Sequence, residues 1–191
     1  MYLNIGRRIN KFDDYILFVI KNNVHNRYLD VIMPMATFMG NLGFIWIAIA
    51  IALIVDKPYR TIGNSLILTL IIATIVGEGI VKHIVRRVRP CNKQNNFSII
   101  SLKPISYSFP SGHTLSSFAA AEMLSMYFIQ YRFVFIAMAL LIALSRLYLY
   151  VHYPTDVIAG IIIGVLCAKV TFIILQEGYI QKLFAFYEKI V

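Results

Sequence analysis

"FVFIAMALLIALSRLYLYVHYPTDVIAGIIIGVLCAKVTFIIL", residues 133–175, is two apolar stretches separated by a short polar break. About 20 predominantly apolar residues cross a bilayer as a helix, and each half comes close to that length. The break holds Arg146, His152, Pro154 and Asp156. Polar residues end helices, proline suits a first helical turn, and an acid there is favoured by the helix dipole. The same residue types also carry chemistry. The rest of the chain decides between these readings.

The composition points to the membrane. Apolar residues make up 59% of the 191, and mean hydropathy is +0.73. A chain of this length is one domain, with at most a short arm. Eighteen Lys and Arg face 9 acids. That balance suits anionic headgroups or a phosphorylated substrate; nucleic acid fits poorly with such hydrophobicity. Cys91 lies in a polar loop and Cys167 in an apolar run, so a disulfide is not expected, and no metal-type cysteine spacing exists. "MYLNIGRRINKFDDYILFVIKNN", residues 1–23, starts charged, but Lys21 cuts its apolar core short, so no cleavable signal peptide is expected.

Working outward, hydropathy predicts an all-α polytopic helix bundle of five or six spans. The segments are Val31–Val55, with a kink at "GNLG" (40–43), then Ile62–Val81, Thr114–Gln130, Phe133–Val151 and Val157–Leu175. Glu122 and several serines in the third direct it towards other helices, because a lipid-facing carboxylate is costly. Asp13–Lys21 is too short to span alone and reads as interfacial, or as part of a sixth, tilted span. Residues 1–28 therefore read as an N-terminal interfacial segment and 29–191 as the membrane domain. Asp56–Thr61 and Tyr131–Arg132 are tight turns, whereas Lys82–Pro110 is long and holds Lys82, Arg86, Arg87, Arg89, Lys93 and Lys103 without an acid. Alternation of sides then brings three polar clusters to one membrane face.

The first cluster is "KHIVRRVRP" (82–90). It reads as a juxtamembrane basic patch or as an anion site, with lysine as a point charge and arginine as a two-pronged donor; Pro90 is expected to end the helix. The second, "FPSGHT" (109–114), places Ser111 to cap a helix, or offers free backbone N–H groups to an anion with His113 as proton donor. In the third, "SRLYLYVHYPTD" (145–156), the spacing of four lets the Asp156 carboxylate reach back to His152, fix its tautomer and leave the other nitrogen nucleophilic.

Lys-x6-Arg-Pro, Pro-Ser-Gly-His and Ser-Arg-x5-His-x3-Asp, in this order, resemble the signature of the type-2 phosphatidic acid phosphatase superfamily, which includes the vanadium haloperoxidases. The likeness runs from about Gly40 to Leu175, without a departure at any signature position. It implies that His152 attacks phosphorus, Asp156 orients it, and His113 protonates the leaving oxygen and then activates water. Lys82, Arg89 and Arg146, with Ser111 and the Gly112 N–H, would bind the phosphate. No cofactor and no metal are implied, and near the site Asp156 is the only acid that stands out.

The implied partners are membrane lipids and a lipid phosphate substrate: undecaprenyl diphosphate, phosphatidylglycerophosphate or phosphatidic acid. Transfer to another lipid, haloperoxidase chemistry and an idle scaffold or channel are the competing functions. Intact His113, His152 and Asp156 weigh against the last, and the hydrophobicity against the second. The resemblance implies a multi-pass cell-membrane protein with its site on the outer face. The oligomeric state is open.

Overall fold

The computed structural model describes residues 2–93 and 106–177. Lys103 and much of the expected basic loop lie outside the described residues. Within them the chain forms helices and turns without a strand. In order these are α1 (Tyr2–Asn23), α2 (Leu29–Gly40), α3 (Phe44–Val55), α4 (Arg60–Thr74), α5 (Lys82–Val85), α6 (Pro90–Lys93), α7 (Gly112–Tyr127), α8 (Arg132–Tyr148) and α9 (Pro154–Gln176). A π-helical stretch, Ile75–Val81, joins α4 to α5.

Four helical runs among the described residues are long and apolar enough to cross a membrane: Leu29–Val55, Lys57–Val85, Ile129–Tyr148 and Pro154–Gln176. They match four of the five predicted segments, with ends shifted by a few residues. The fifth, expected over Thr114–Gln130, is α7. Its sixteen residues extend only about 24 Å, and it is sheathed by α9, α8 and α4. Most of its side chains are buried, and Glu122 lies 3.9 Å from Lys169. That sheathing accounts for its polar composition. The 22-residue α1 contains the segment read as interfacial and is not among the four apolar runs.

α9 shows how the bundle is built. Its large apolar residues Ile158, Ile162, Leu166, Val170 and Ile173 are exposed, while Gly160, Gly164 and Ala168 face inward. Lipid tails solvate large side chains as well as a protein interior does, so small residues go where backbones must approach. A Cβ on Gly160 would lie 2.9 Å from the Ser111 carbonyl oxygen, and one on Gly164 3.0 Å from the Ala119 nitrogen. Helices α7 and α9 thus touch backbone to backbone.

The kink expected at "GNLG" is present as a 3₁₀ turn, Asn41–Gly43, between α2 and α3. Gly43 adopts φ 71° there, a region open to glycine. The turn brings the end of α2 against α7: a Cβ on Gly40 would come within 3.0 Å of the His113 ring. In this way the break in the first apolar run serves the polar end of the bundle.

Candidate active site

The three clusters meet at one end of the bundle. After α5 the chain reverses through Arg86, at φ 50°, and runs outside helical structure to Arg89. Pro90 begins α6 and does not end the preceding helix, contrary to the sequence expectation. Its ring fits because a first helical residue needs no N–H. Arg89 is only 4% exposed. Its guanidinium donates to Ser106 O at 2.8 Å, Ser106 Oγ at 3.0 Å, Val151 O at 3.1 Å and His152 Nε2 at 2.9 Å. Burial pushes its pKa below the ordinary arginine value.

Because Arg89 donates to Nε2, the proton of His152 sits on Nδ1, which donates to the Ser108 carbonyl at 2.7 Å. The sequence expected that proton to go to Asp156. The Asp156 carboxylate is instead 3.6 Å from Nδ1, beyond a good hydrogen bond. Oδ2 accepts from the Tyr153 N–H at 2.9 Å, closing a capping box, and Oδ1 accepts from Arg87 at 2.7 Å. Asp156 therefore acts on the ring through its field. Burial, with the charges of Arg89 and Arg146, pushes His152 down to about 3 despite Asp156. The imidazole is neutral at ordinary pH, with its Nε2 lone pair directed at Arg89.

Ser111 precedes α7 in the capping position, but its hydroxyl pairs with Thr114 Oγ1 at 2.9 Å and not with a backbone N–H. Its own N–H donates to the Asp156 carbonyl at 3.1 Å, tying α7 to α9. Within the first turn of α7, His113 Nε2–H donates to Asn41 Oδ1 at 2.8 Å. Arg146, 5% exposed near the end of α8, donates from Nη1 to Thr37 Oγ1. Its Nε–H has no acceptor among the described residues.

Lys82, Arg89, Gly112, His113 and Arg146 line a cavity of about 700 Å³. From this polar end the cavity continues along Leu42, Ile47, Ile67, Leu70, Ile71 and Ile75, on the 3₁₀ turn, α3, α4 and the π stretch. His152, Ser111 and Asp156 stand behind the lining. Five of the eight predicted residues thus face the cavity directly, and His152 is reached through Arg89.

Sequence reasoning passed over four contributors. Glu78 lines the cavity and accepts from Lys82 Nζ at 2.7 Å on each carboxylate oxygen, so Asp156 is not the only acid nearby. The i,i+4 spacing of Glu78 and Lys82 was the available signal. Asn41 was visible only as part of a kink. Asp13 and Arg87 carried no local signal of their meeting, which spans 74 positions.

Comparison with known proteins follows the same outline. Residues 62–179 match the PAP2 superfamily, a range that contains all eight predicted site residues and excludes α1, α2 and α3. The undecaprenyl-diphosphatase of Sulfolobus acidocaldarius is 33% identical over 149 residues, 76% of this chain and 72% of that protein. Phosphatidylglycerophosphatase B of Bacillus subtilis is 26% identical, covering 87% and 82% respectively. The crystal structure of Aquifex aeolicus LpxE superposes with a TM-score of 0.72 at 26% identity, over 84% of this chain and 94% of that one.

Proposed function

Because this chain belongs to the PAP2 superfamily, we propose that it is an integral membrane phosphatase that removes a terminal phosphate from a lipid phosphate or diphosphate. The observation that carries the reading is the pair Arg89 and Arg146. Both are buried beside one cavity, and neither has a carboxylate partner among the described residues. A buried charge left uncompensated costs several kcal/mol, and a phosphate between the two guanidiniums offsets that cost. Their planar forks match its oxygens. The apolar wall formed by α3 and α4 accepts a hydrocarbon chain, which a soluble ester lacks.

In this reading the phosphate draws Arg89 Nη1 away from His152 and exposes the Nε2 lone pair. Burial and the neighbouring cations alone push His113 down to about 2, so it takes up its proton with the phosphate, whose negative charge offsets them. Nε2 of His152 then attacks phosphorus while the bond to the leaving oxygen breaks and the His113 imidazolium gives that oxygen its proton. The phosphohistidine is cationic; Ser108 O holds its Nδ1–H and the Asp156 charge stabilises it. Water then attacks phosphorus, His113 takes the proton, and the P–N bond breaks to regenerate neutral His152 and release phosphate. Lys82, Arg89, Arg146, the Gly112 N–H and Ser111 stabilise the transferring group, which is most of what phosphoryl transfer requires. Three cations here do the work of a divalent metal ion, so no metal is needed. Following the family, the site belongs on the outer face of the cell membrane, with residues 1–28 as an interfacial segment and the phosphatase domain from residue 29 on.

The test is phosphate release by purified protein from a prenyl diphosphate, phosphatidylglycerophosphate and phosphatidic acid, with glucose 6-phosphate as the soluble comparison and excess chelator throughout. At least one lipid should be turned over far better than the soluble ester, and His152→Ala should be inactive. Loss of activity on chelation, restored by Mg²⁺, would overturn the cation clamp. Equal turnover of glucose 6-phosphate would overturn the lipid assignment.

A further inference from the structure

Among the described residues, Arg87 is the arginine at this end of the bundle that pairs with two acids. Its Nη1 donates to Asp156 Oδ1 at 2.7 Å and Thr155 Oγ1 at 2.8 Å, and its Nη2 to Asp13 Oδ2 at 2.6 Å. The guanidinium carbon lies 3.9 Å from the centre of the Tyr153 ring. Burial acts to lower its pKa, but the hydrogen bonds and charges of Asp13 and Asp156 outweigh it and raise the value. Asp13 is wholly buried, like Leu17 one turn on, although Ile9, Phe12 and Tyr15 of the same helix are exposed. Its Oδ1 accepts from the Thr155 N–H at 3.0 Å and its Oδ2 from the Thr155 hydroxyl at 2.6 Å.

The charge count shows what this arrangement does. Arg87 alone would neutralise Asp156, the carboxylate 3.6 Å from His152 Nδ1. A second carboxylate on the same guanidinium leaves the trio with one net negative charge beside the imidazole. That charge matters most when His152 is cationic, as it is once phosphorylated. We propose that Asp13 and Arg87 are positioning residues for this reaction: Asp13 shares Arg87 with Asp156, so that Asp156 keeps its field on His152, and α1 thereby becomes part of the catalytic apparatus. The inference rests on the phosphohistidine reading above. It concerns a helix outside the stretch that matches the family.

Asp13→Asn is nearly isosteric; it removes the charge and turns one of two accepting oxygens into a donor, so one contact to Thr155 or Arg87 weakens as well. The expected result is a kcat at least tenfold lower with KM within about twofold. Vanadate, which bonds to Nε2 and makes the ring cationic, should inhibit more weakly by a similar factor, whereas inorganic phosphate, bound without that bond, should inhibit as in the wild type. A merely structural role would lower the yield of active protein and leave both inhibition constants unchanged; that outcome, or a wild-type kcat, overturns the proposal. Should Asp13→Asn not fold, Asp13→Ser carries the same test, since it too removes the second carboxylate while its hydroxyl can still accept from Arg87 or Thr155. If the wild-type protein itself hydrolyses no lipid phosphate and binds no vanadate, the phosphatase reading is what has failed.

Discussion

Replacing Gly160 by alanine tests whether the close contact of α7 and α9 holds in place the turn proposed to bind phosphate. The added Cβ would meet Ser111 O at 2.9 Å, Thr114 Cβ at 3.1 Å and Leu115 N at 3.3 Å. Two of these three are backbone atoms, which cannot rotate away as the end of a side chain can. Reaching ordinary contact requires α7 to shift by about half an ångström. Overpacking of this kind destabilises by about 1–3 kcal/mol, enough to lower the melting temperature measurably in detergent. The shift falls on Ser111, Gly112 and His113, and a misplacement of about 1 Å is able to cost about 10²-fold in rate. A loss of about tenfold in kcat is therefore expected. Gly164→Ala, one turn deeper against Leu115 and Ala119, should lower stability with a smaller loss of kcat. Gly79→Ala, which has open space around it, should change neither. Phosphate release and thermal unfolding of the three variants read the two effects separately. A Gly160→Ala protein with wild-type melting and turnover would refute the reasoning, because the contact would then be holding nothing.

Other outcomes follow from the same geometry. With His152 near 3, against an ordinary histidine near 6.5, its ring should stay neutral down to about pH 4. Its NMR signals, assigned with His152→Gln, should show no titration between pH 5 and 8; a midpoint near 6.5 would refute the buried, cation-flanked environment. The sign for stability is that of a lowered base: the unfolded chain binds the proton first, so this group destabilises the fold as pH falls from about 6.5 towards 3. Arg89→Lys keeps one charge but cannot reach Ser106, Val151 and His152 together, so kcat should fall by at least tenfold, and unchanged kinetics would mean that charge alone matters there. Glu78→Gln releases Lys82 from its carboxylate, so inorganic phosphate should inhibit several-fold more strongly. Weaker inhibition would mean that Glu78 is needed to hold Lys82 in place.

Much of the bundle was legible because hydropathy is a direct property of composition. The halves of residues 133–175 became α8 and α9, and "GNLG" became the kink. Convergence of the clusters followed from counting crossings, without any contact being known. What was not legible depended on partners distant in sequence. The spacing of four was read as bringing the Asp156 carboxylate back to His152, and the two lie 3.6 Å apart, yet Arg87 and the Tyr153 N–H hold the carboxylate while Ser108 takes the ring proton. Asp13 looked like one acid on an amphipathic segment, since periodicity describes the faces of a helix and not what each face meets. Ser111 sat where a cap was expected, but Thr114 Oγ1 offered its hydroxyl a partner.

If the substrate is a lipid, as proposed, the apolar lining that α3 and α4 give the cavity sets the dimensionality of the encounter. A substrate that keeps its tail in the bilayer reaches the arginines by lateral diffusion, and the concentration that governs the rate is molecules per area of membrane. Diluting vesicles in buffer should leave the rate per enzyme unchanged, whereas diluting the substrate with inert lipid at constant bulk concentration should lower it. Activity of this protein would then track the crowding of its own membrane leaflet.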